Sequence, residues 1–406
     1  MKIITDTVLV DKFFDHKIDQ IYPTEKELRE KLLSGKRLKF YIGADATGPR
    51  LHIGHIIPIL KMKQLQELGH EIIFLVGDFT ARLGDPTDKS EVRRILSTEE
   101  VNSNASEFKT QIAKYIDFDS GENPAQIAFN SKWNNNLTLS DVIKLASNTT
   151  VQQMIERDMF QKRLDMNKPI FLHEFLYPLI QGYDSVFMEV DGEFGGRDQT
   201  FNMLMGRTLL KNYKNIDKFV ITTHFLLSSD GQNKMSKSIG NCIFIDDSPT
   251  DKFGKVMSIP DHLIGHYYRL ATDELIADIE QIETNLEQGA DPMSIKKQLA
   301  YQITLINDGE EEAKKALEFF EKTIQNNEAP QSAPTFSRAK FDKVELTLKE
   351  IVTSTSNISN AEAKRLIRAG AIEINGVIET DLSKNFKTTS LDFLRIGKKN
   401  WINFID

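Results

Sequence analysis

Cysteine is almost missing from this chain: Cys242 is the only one in 406 residues. One thiol closes no intrachain disulfide and cannot build a cysteine-based zinc site, and this usage suits a reducing cytoplasm. Long hydrophobic runs are missing too. No window of about 18 apolar residues occurs, so nothing reads as a membrane-spanning helix. The first residues, "MKIITDTVLVDKFFDHKIDQ", mix acids with apolars and lack the core of a signal peptide. A positive excess is also missing. With 51 Lys+Arg against 59 Asp+Glu the net charge is -8, which does not advertise nucleic-acid binding.

The charge is unevenly spread. From Arg338 onward there are twelve Lys/Arg against nine Asp/Glu, so the tail carries +3 and the rest -11. A basic tail on an acidic body is the distribution of a chain whose tail meets a polyanion, and equally of a solvated surface. The apolar content of 40% and charged content of 27% are those of a globular protein, and the length calls for two or three domains.

The local pattern opens on a βαβ unit. "RLKFYIGA" (37–44) reads as a strand and "HIIPILKMKQLQEL" (55–68) as a helix stopping at Gly69. Pro58 sits in its tolerated first turn, and "EIIFLVGDF" (71–79) reads as a second, continuously apolar strand. Such runs belong to a buried parallel sheet, and "DKFVITTHFLL" (217–227) is a later strand of the same kind. From about residue 261 to 324 the pattern is helical and acidic. "QNNEAPQSAPTFSRAK" (325–340) has two prolines and no apolar periodicity and reads as a linker. Beyond it, "AEAKRLIRAG" is a helix capped by Ser359 or Asn360, and Asn375-Gly376 is a hairpin turn. The expected organisation is a parallel-sheet α/β domain over 1–245 with an inserted connective segment, and a helical domain over 246–325. A linker over 326–340 and a small α+β domain over 341–406 follow.

Between the first strand and its helix stands "YIGADATGPRLHIGH" (41–55), a polar Gly/Pro loop followed by two histidines three residues apart. A helix N-terminus has unpaired N–H groups and partial positive charge, imidazoles there can donate to phosphate oxygens, and Gly54 lets a base or ribose approach the backbone. "HIGH" therefore reads as a nucleotide site, against the plainer reading of two surface histidines. A zinc pair is poorer, since no third ligand is near in sequence. The common nucleotide motifs are absent: "GDPTDKS" (84–90) lacks the second glycine of a Walker A loop, and "GEFGGRD" (192–198) is not G-x-G-x-x-G. Farther on, "KMSKS" (234–238) follows the late strand, and Lys234 and Lys237 offer two ammonium groups for a departing polyphosphate.

"HIGH" and "KMSKS" in this order, each after an apolar strand, resemble the paired signature of class I aminoacyl-tRNA synthetases. "YPLIQGYDSV" (177–186), "GGRDQTFNMLMGR" (195–207), "YIGADATG" and "LVGDFTARLGDPTDK" resemble its tyrosine-specific branch, and the region 343–406 looks like the S4 RNA-binding domain of the bacterial type. The resemblance covers essentially the whole chain. It implies a Rossmann-like catalytic domain, a helical domain meeting the tRNA anticodon arm and an S4-like module. The implied reaction is activation of L-tyrosine with ATP and transfer to tRNA(Tyr), with Mg²⁺ accompanying ATP, in a cytoplasmic homodimer.

Residue by residue, the resemblance puts Tyr41 and Asp184 on the tyrosine phenol, and Asp85, Tyr177 and Gln181 on its amino group. Thr47 and His52 would hold the γ-phosphate, and Gly54 and His55 the nucleoside. Asp45, Gly196, Asp198 and Gln199 would face the ribose and adenylate. Lys89, Arg93, Lys234 and Lys237 would neutralise pyrophosphate, with Met235, Ser236 and Ser238 completing the ATP loop. On the tail helix, Lys364, Arg365 and Arg368 would meet RNA phosphates. One departure is Asp45-Ala46-Thr47 where the family usually has D-P-T, which puts the rigidity of that loop in question. Two other readings fit the signatures less well: a tryptophan-specific relative, and a catalytically dead RNA-binding regulator.

Overall fold

A computed structural model of the chain describes residues 2–85, 97–119, 121–228, 230–236, 242–326, 333–397 and 400–406. It divides into two compact units, Met1–Gly309 and Glu310–Asp406.

The first unit is built on a six-stranded sheet. Its strands are β1 (Ile18–Tyr22), β2 (Lys39–Asp45), β3 (Glu71–Gly77), β4 (Gln126–Phe129), β5 (Gly192–Gly196) and β6 (Phe219–Thr223), in the order β1-β6-β5-β2-β3-β4. All neighbours are parallel except the edge pair β1/β6. The apolar runs at 39–45, 71–77 and 219–223 are strands as their patterning predicts, and β3 and β6 are buried almost end to end. The Ile56–Glu67 helix crosses from β2 to β3 with nine of its twelve residues buried. A one-turn 3-10 segment, Ile53–His55, precedes it, so the HIGH residues lie just before the α-helix rather than within it. The order reverses between β2 and β5, the switch point where an open parallel sheet leaves a crevice at its carboxyl edge.

The helical stretch expected over 246–325 is divided. Helices Pro249–Met257, Ile264–Ala271, Ile276–Glu287 and Pro292–Asp308 belong to the first unit, and Glu310–Phe320 to the second.

The second unit has a five-stranded sheet, β10-β9-β12-β13-β7, made of β7 (Thr335–Ser337), β9 (Ile372–Ile374), β10 (Val377–Ile378), β12 (Phe393–Ile396) and β13 (Asn400–Ile405). A separate pair joins β8 (Glu345–Thr347) and β11 (Asn385–Lys387). The helices Leu348–Thr355 and Asn360–Arg368 close the core through Leu348, Ile351, Val352, Ala363 and Ile367. Ser359 caps the second helix by accepting from the Glu362 N–H. Asn375 and Gly376 both take positive φ between β9 and β10, the geometry of a two-residue hairpin. The linker reading fails at its end. Residues 335–337 pair in parallel with β13, a 3-10 turn follows at Arg338–Lys340, and Phe336 packs against Phe341 and Phe404. A three-residue strand is too short to show periodicity, and a long-range partner rather than local pattern orders it.

Candidate functional site

The carboxyl ends of β2 and β5 carry several of the residues that sequence reasoning singles out. Asp45 ends β2 and accepts from Thr80 Oγ1 at 2.7 Å and from the Tyr177 hydroxyl at 3.0 Å. Gly77, at the end of β3, makes room: a Cβ there would stand 2.2 Å from Asp45 Oδ1. Gly196 ends β5 and leads through a 3-10 turn into Asp198 and Gln199. Gln199 donates to Asp85 Oδ2 at 2.7 Å, and Arg157 stands 4.0 Å from the other oxygen of Asp85. The contacts Tyr177–Asp45 and Asp85–Gln199 cross-link residues that the resemblance assigns to different substrates. The amino-acid and adenylate residues form one polar cluster, as a reaction between the two substrates requires.

The HIGH stretch meets, in the backbone, the chain that follows KMSKS. Ile53 N–H donates to the Ile243 carbonyl at 2.9 Å and Ile245 N–H to Leu51 at 2.9 Å, so the HIGH stretch is laced to the chain following KMSKS. Met235, buried, donates its N–H to Leu226 at 2.8 Å, beyond the end of β6. Lys234 reaches Asp198 Oδ2 at 2.7 Å. The rings of His52 and His55 lie 3.8 Å apart, and a Cβ on Gly54 would press on the His52 ring at 3.0 Å. Thr47 is exposed at the loop after β2, its N–H turned to the Asp45 carbonyl at 2.7 Å, and Ser236 is half-buried. Ala46 is fully buried and its carbonyl accepts from Asn104, which supplies a restraint where the family has proline. Lys89, Arg93, Lys237 and Ser238 lie outside the described residues.

The Tyr177–Met188 helix supplies the third wall. Asp184 is 1% exposed and accepts from Trp133 Nε1 at 2.8 Å, Asn134 Nδ2 at 3.1 Å and Asn130 Nδ2 at 3.2 Å. Burial pushes its carboxyl up to about 7, against the three donors, which favour the ionised form. Tyr41 is equally buried, and desolvation with nearby Glu193 and Asp184 holds its hydroxyl protonated far above the ordinary range. Its hydroxyl meets Ser185 Oγ at 2.9 Å, not Asp184. Four buried side-chain amide or carboxylate oxygens have no hydrogen-bond partner among the described residues: Asn134 Oδ1, Gln181 Oε1, Asp198 Oδ1 and Asn202 Oδ1. An orphaned buried oxygen is costly unless a ligand donates to it.

Sequence reasoning missed the polar frame behind these residues: Thr80, Asn130, Trp133, Asn134, Arg157, Ser185, Glu193 and Lys218. Only Glu193 left a trace, a lone charge inside the otherwise apolar strand "GEFGG".

In the second unit, Lys364, Arg365 and Arg368 are all exposed on the Asn360–Arg368 helix, and Arg365 pairs with Glu362 at 2.5 Å.

The family described as "tRNA synthetases class I (W and Y)" matches residues 33–325. A tyrosine–tRNA ligase of Geobacter sulfurreducens is 42% identical over 382 residues, covering 93% of this chain and 94% of that protein. A tyrosine–tRNA ligase 2 of Pseudoalteromonas translucida is 42% identical over 383 residues with the same coverage of both. Among solved structures, a C-terminally truncated mitochondrial tyrosyl-tRNA synthetase of Aspergillus nidulans has TM-score 0.63 at 21% identity, covering 79% of this chain and 93% of its own. The tyrosyl-tRNA synthetase of Archaeoglobus fulgidus complexed with L-tyrosine has TM-score 0.59 at 22% identity, covering 77% and 100%. The two structures share the fold; the sequence relatives, matched over nearly their whole length, place the chain by descent: it belongs to the tyrosine–tRNA ligases of the class I synthetase family for tryptophan and tyrosine.

Proposed function

We propose that the cluster at the ends of β2 and β5 is where this chain activates L-tyrosine with ATP, the first half of the tyrosine–tRNA ligase reaction of its family. The observation that carries the reading is that two of the orphaned buried oxygens, Gln181 Oε1 and Asp198 Oδ1, stand in the polar cluster at the ends of β2 and β5. Gln181 is an acceptor suited to an ammonium group, and Asp198 to a ribose hydroxyl.

The tyrosine carboxylate attacks the α-phosphorus of ATP. The bond to the β-phosphate oxygen breaks and pyrophosphate leaves with its electron pair. The carboxylate is already ionised, so no general base is needed, and catalysis is positioning plus charge stabilisation. Thr47 and His52 serve the γ-phosphate, and Gly54 and His55 the nucleoside. Lys234, with Lys89, Arg93 and Lys237, takes up the charge of the departing pyrophosphate. Mg²⁺ accompanies ATP and supplies further charge neutralisation on the phosphates. Asp85, Tyr177 and Gln181 hold the amino group, while Tyr41 and Asp184 meet the phenol. A phenyl ring there would leave two buried polar groups unsatisfied, and tyrosine-specific synthetases are the standing example of selectivity obtained this way without editing.

In the second step a ribose hydroxyl of the terminal adenosine of tRNA(Tyr) takes the tyrosyl group and AMP leaves. The second unit is read as an S4-like RNA-binding module. Lys364, Arg365 and Arg368 on one exposed helix support this, since phosphate contacts need such a surface. A homodimer is the expected assembly, and Leu139, Ile143, Val151, Met166 and Leu172 are exposed apolar side chains that a second copy would cover. The site of action is the cytoplasm.

The test is amino-acid-dependent ATP–pyrophosphate exchange in wild type and in Gln181→Leu and Asp198→Ala. Both substitutions should depress exchange, the first through the KM for tyrosine and the second through the KM for ATP. Wild-type kinetics in both variants overturn the reading.

A further inference from the structure

Lys234 sits on one arm of a short hairpin. The Met235 N–H donates to the Leu226 carbonyl at 2.8 Å, and the Ser228 N–H donates to the Asn233 carbonyl at 2.8 Å. Between these two bonds Leu227 and Lys234 face each other as an antiparallel bridge. The bonds flank the pair instead of joining it, so Leu227 and Lys234 are a non-hydrogen-bonded pair. The N–H and carbonyl of Leu227 therefore point away from Lys234. At the turn, the Asp230 carboxylate accepts from the Gln232 and Asn233 N–H groups at 2.9 Å each and from Asn233 Nδ2 at 2.8 Å.

A two-stranded hairpin is marginal by itself, and its outward backbone groups need partners. The Ile264–Ala271 helix supplies both for Leu227. The Leu227 N–H donates to His266 Nε2 at 3.1 Å, and the Tyr267 hydroxyl donates to the Leu227 carbonyl at 2.9 Å. Tyr267 is 1% exposed, and burial holds its hydroxyl protonated. Burial also lowers the pKa of His266, with His224 acting in the same direction and the Phe225 carbonyl against it. A neutral imidazole keeps one ring nitrogen as an acceptor, which the Leu227 N–H uses. The lead-in to that helix touches the hairpin a third time: a Cβ on Gly231 would stand 2.6 Å from His262 Nε2, in the 3-10 turn Asp261–Leu263. Root and turn of the hairpin thus rest on one helix and its lead-in.

We infer that His266 and Tyr267 are positioning residues for Lys234: by pinning both backbone groups of its cross-strand partner, they hold the hairpin that aims the ammonium at the departing pyrophosphate. This rests on the assignment of Lys234 to the pyrophosphate. The physical need is plain. Lysine carries a point charge on a flexible four-carbon stem, so its direction comes from the backbone that presents it. A charge already in place costs no reorganisation when the leaving group departs.

The test is single-turnover adenylate formation, with tyrosine affinity measured beside it. Tyr267→Phe keeps the ring and should slow adenylate formation about fivefold, the effect of one uncharged hydrogen bond, with tyrosine affinity unchanged. In a Lys234→Ala background the same substitution should have no further effect, because Tyr267 acts only through Lys234. His266→Leu should slow the step similarly, and His266→Gln, whose amide oxygen can accept the same N–H, should restore most of the rate. Wild-type rates in Tyr267→Phe and His266→Leu overturn the inference while Lys234→Ala remains slow and the pyrophosphate assignment stands. Equal slowing by Tyr267→Phe with and without the Lys234 ammonium, or no rescue by His266→Gln, also overturns it. A wild-type rate in Lys234→Ala alone overturns the pyrophosphate assignment, and the inference with it.

Discussion

Asp184 is a buried carboxyl whose chemistry is displaced from that in water. Its folded carboxyl titrates at about 7 because burial outweighs three hydrogen-bond donors. The folded value is raised, so protonation stabilises the fold: this contribution is full below the ordinary aspartate value and is lost as the pH rises through about 7. Recognition runs the other way. In the proposed phenol site Asp184 accepts more strongly when ionised, so the preference for tyrosine over phenylalanine should weaken as pH falls from about 8 to about 6. Exchange assays with each amino acid across that window measure it, and a flat ratio contradicts the assignment. Asp184→Asn should abolish the pH dependence of the ratio and lower it roughly ten- to hundredfold, the range for a hydrogen bond to a charged group. Lys234, joined to Asp198 at 2.7 Å, is proposed for the phosphate side. Lys234→Ala should slow adenylate formation about 10²–10³-fold with tyrosine affinity little changed, as for a lost charge at a transition state. Presteady-state adenylate formation separates the two effects, and a collapse of tyrosine binding with normal chemistry contradicts the role.

At the scale of elements, the site depends on how closely backbones approach. The Tyr177–Met188 and Thr200–Lys214 helices cross at Gly182 and Gly206, where a Cβ on Gly182 would stand 3.1 Å from the Gly206 Cα. Gly77 performs the same service for Asp45 at the mouth of β3. Gly77→Ala should push Asp45 off Thr80 and reduce adenylate formation about tenfold or more, the loss of a charged hydrogen bond. Stopped-flow measurement with a check of folding by circular dichroism decides it, and unaltered activity contradicts the placement of Asp45. The sequence was informative where pattern is local. Runs such as 71–77 and 219–223 announce buried strands, and the Asn375-Gly376 turn announces its hairpin. It was silent where tertiary approach decides. Lys218 precedes an apolar strand and nothing local marks it as buried; its burial uses the room left by Gly206, which no periodicity reports. The strand at 335–337 was hidden for the same reason, its partner being the last strand of the chain.

At the scale of the whole molecule, the division after Gly309 separates the sheet that carries the residues proposed for tyrosine and ATP from the unit that carries Lys364, Arg365 and Arg368. A chain ending at Asn326 should retain tyrosine-dependent pyrophosphate exchange and charge tRNA poorly. Parallel exchange and charging assays check this, and full charging by the truncated chain contradicts an RNA role for the second unit. In the proposed homodimer the exposed apolar side chains at 139–172 face the second copy. Ile143→Asp should weaken self-association in sedimentation, and an unchanged mass distribution contradicts the use of that face by a second copy. The central claim, that the switch-point cluster activates tyrosine in particular, is tested most directly by ATP–pyrophosphate exchange of the purified full chain with tyrosine, tryptophan and phenylalanine supplied singly. Exchange with tyrosine far above the other two is the predicted result, and preference for tryptophan, or no exchange with any of the three, would contradict it.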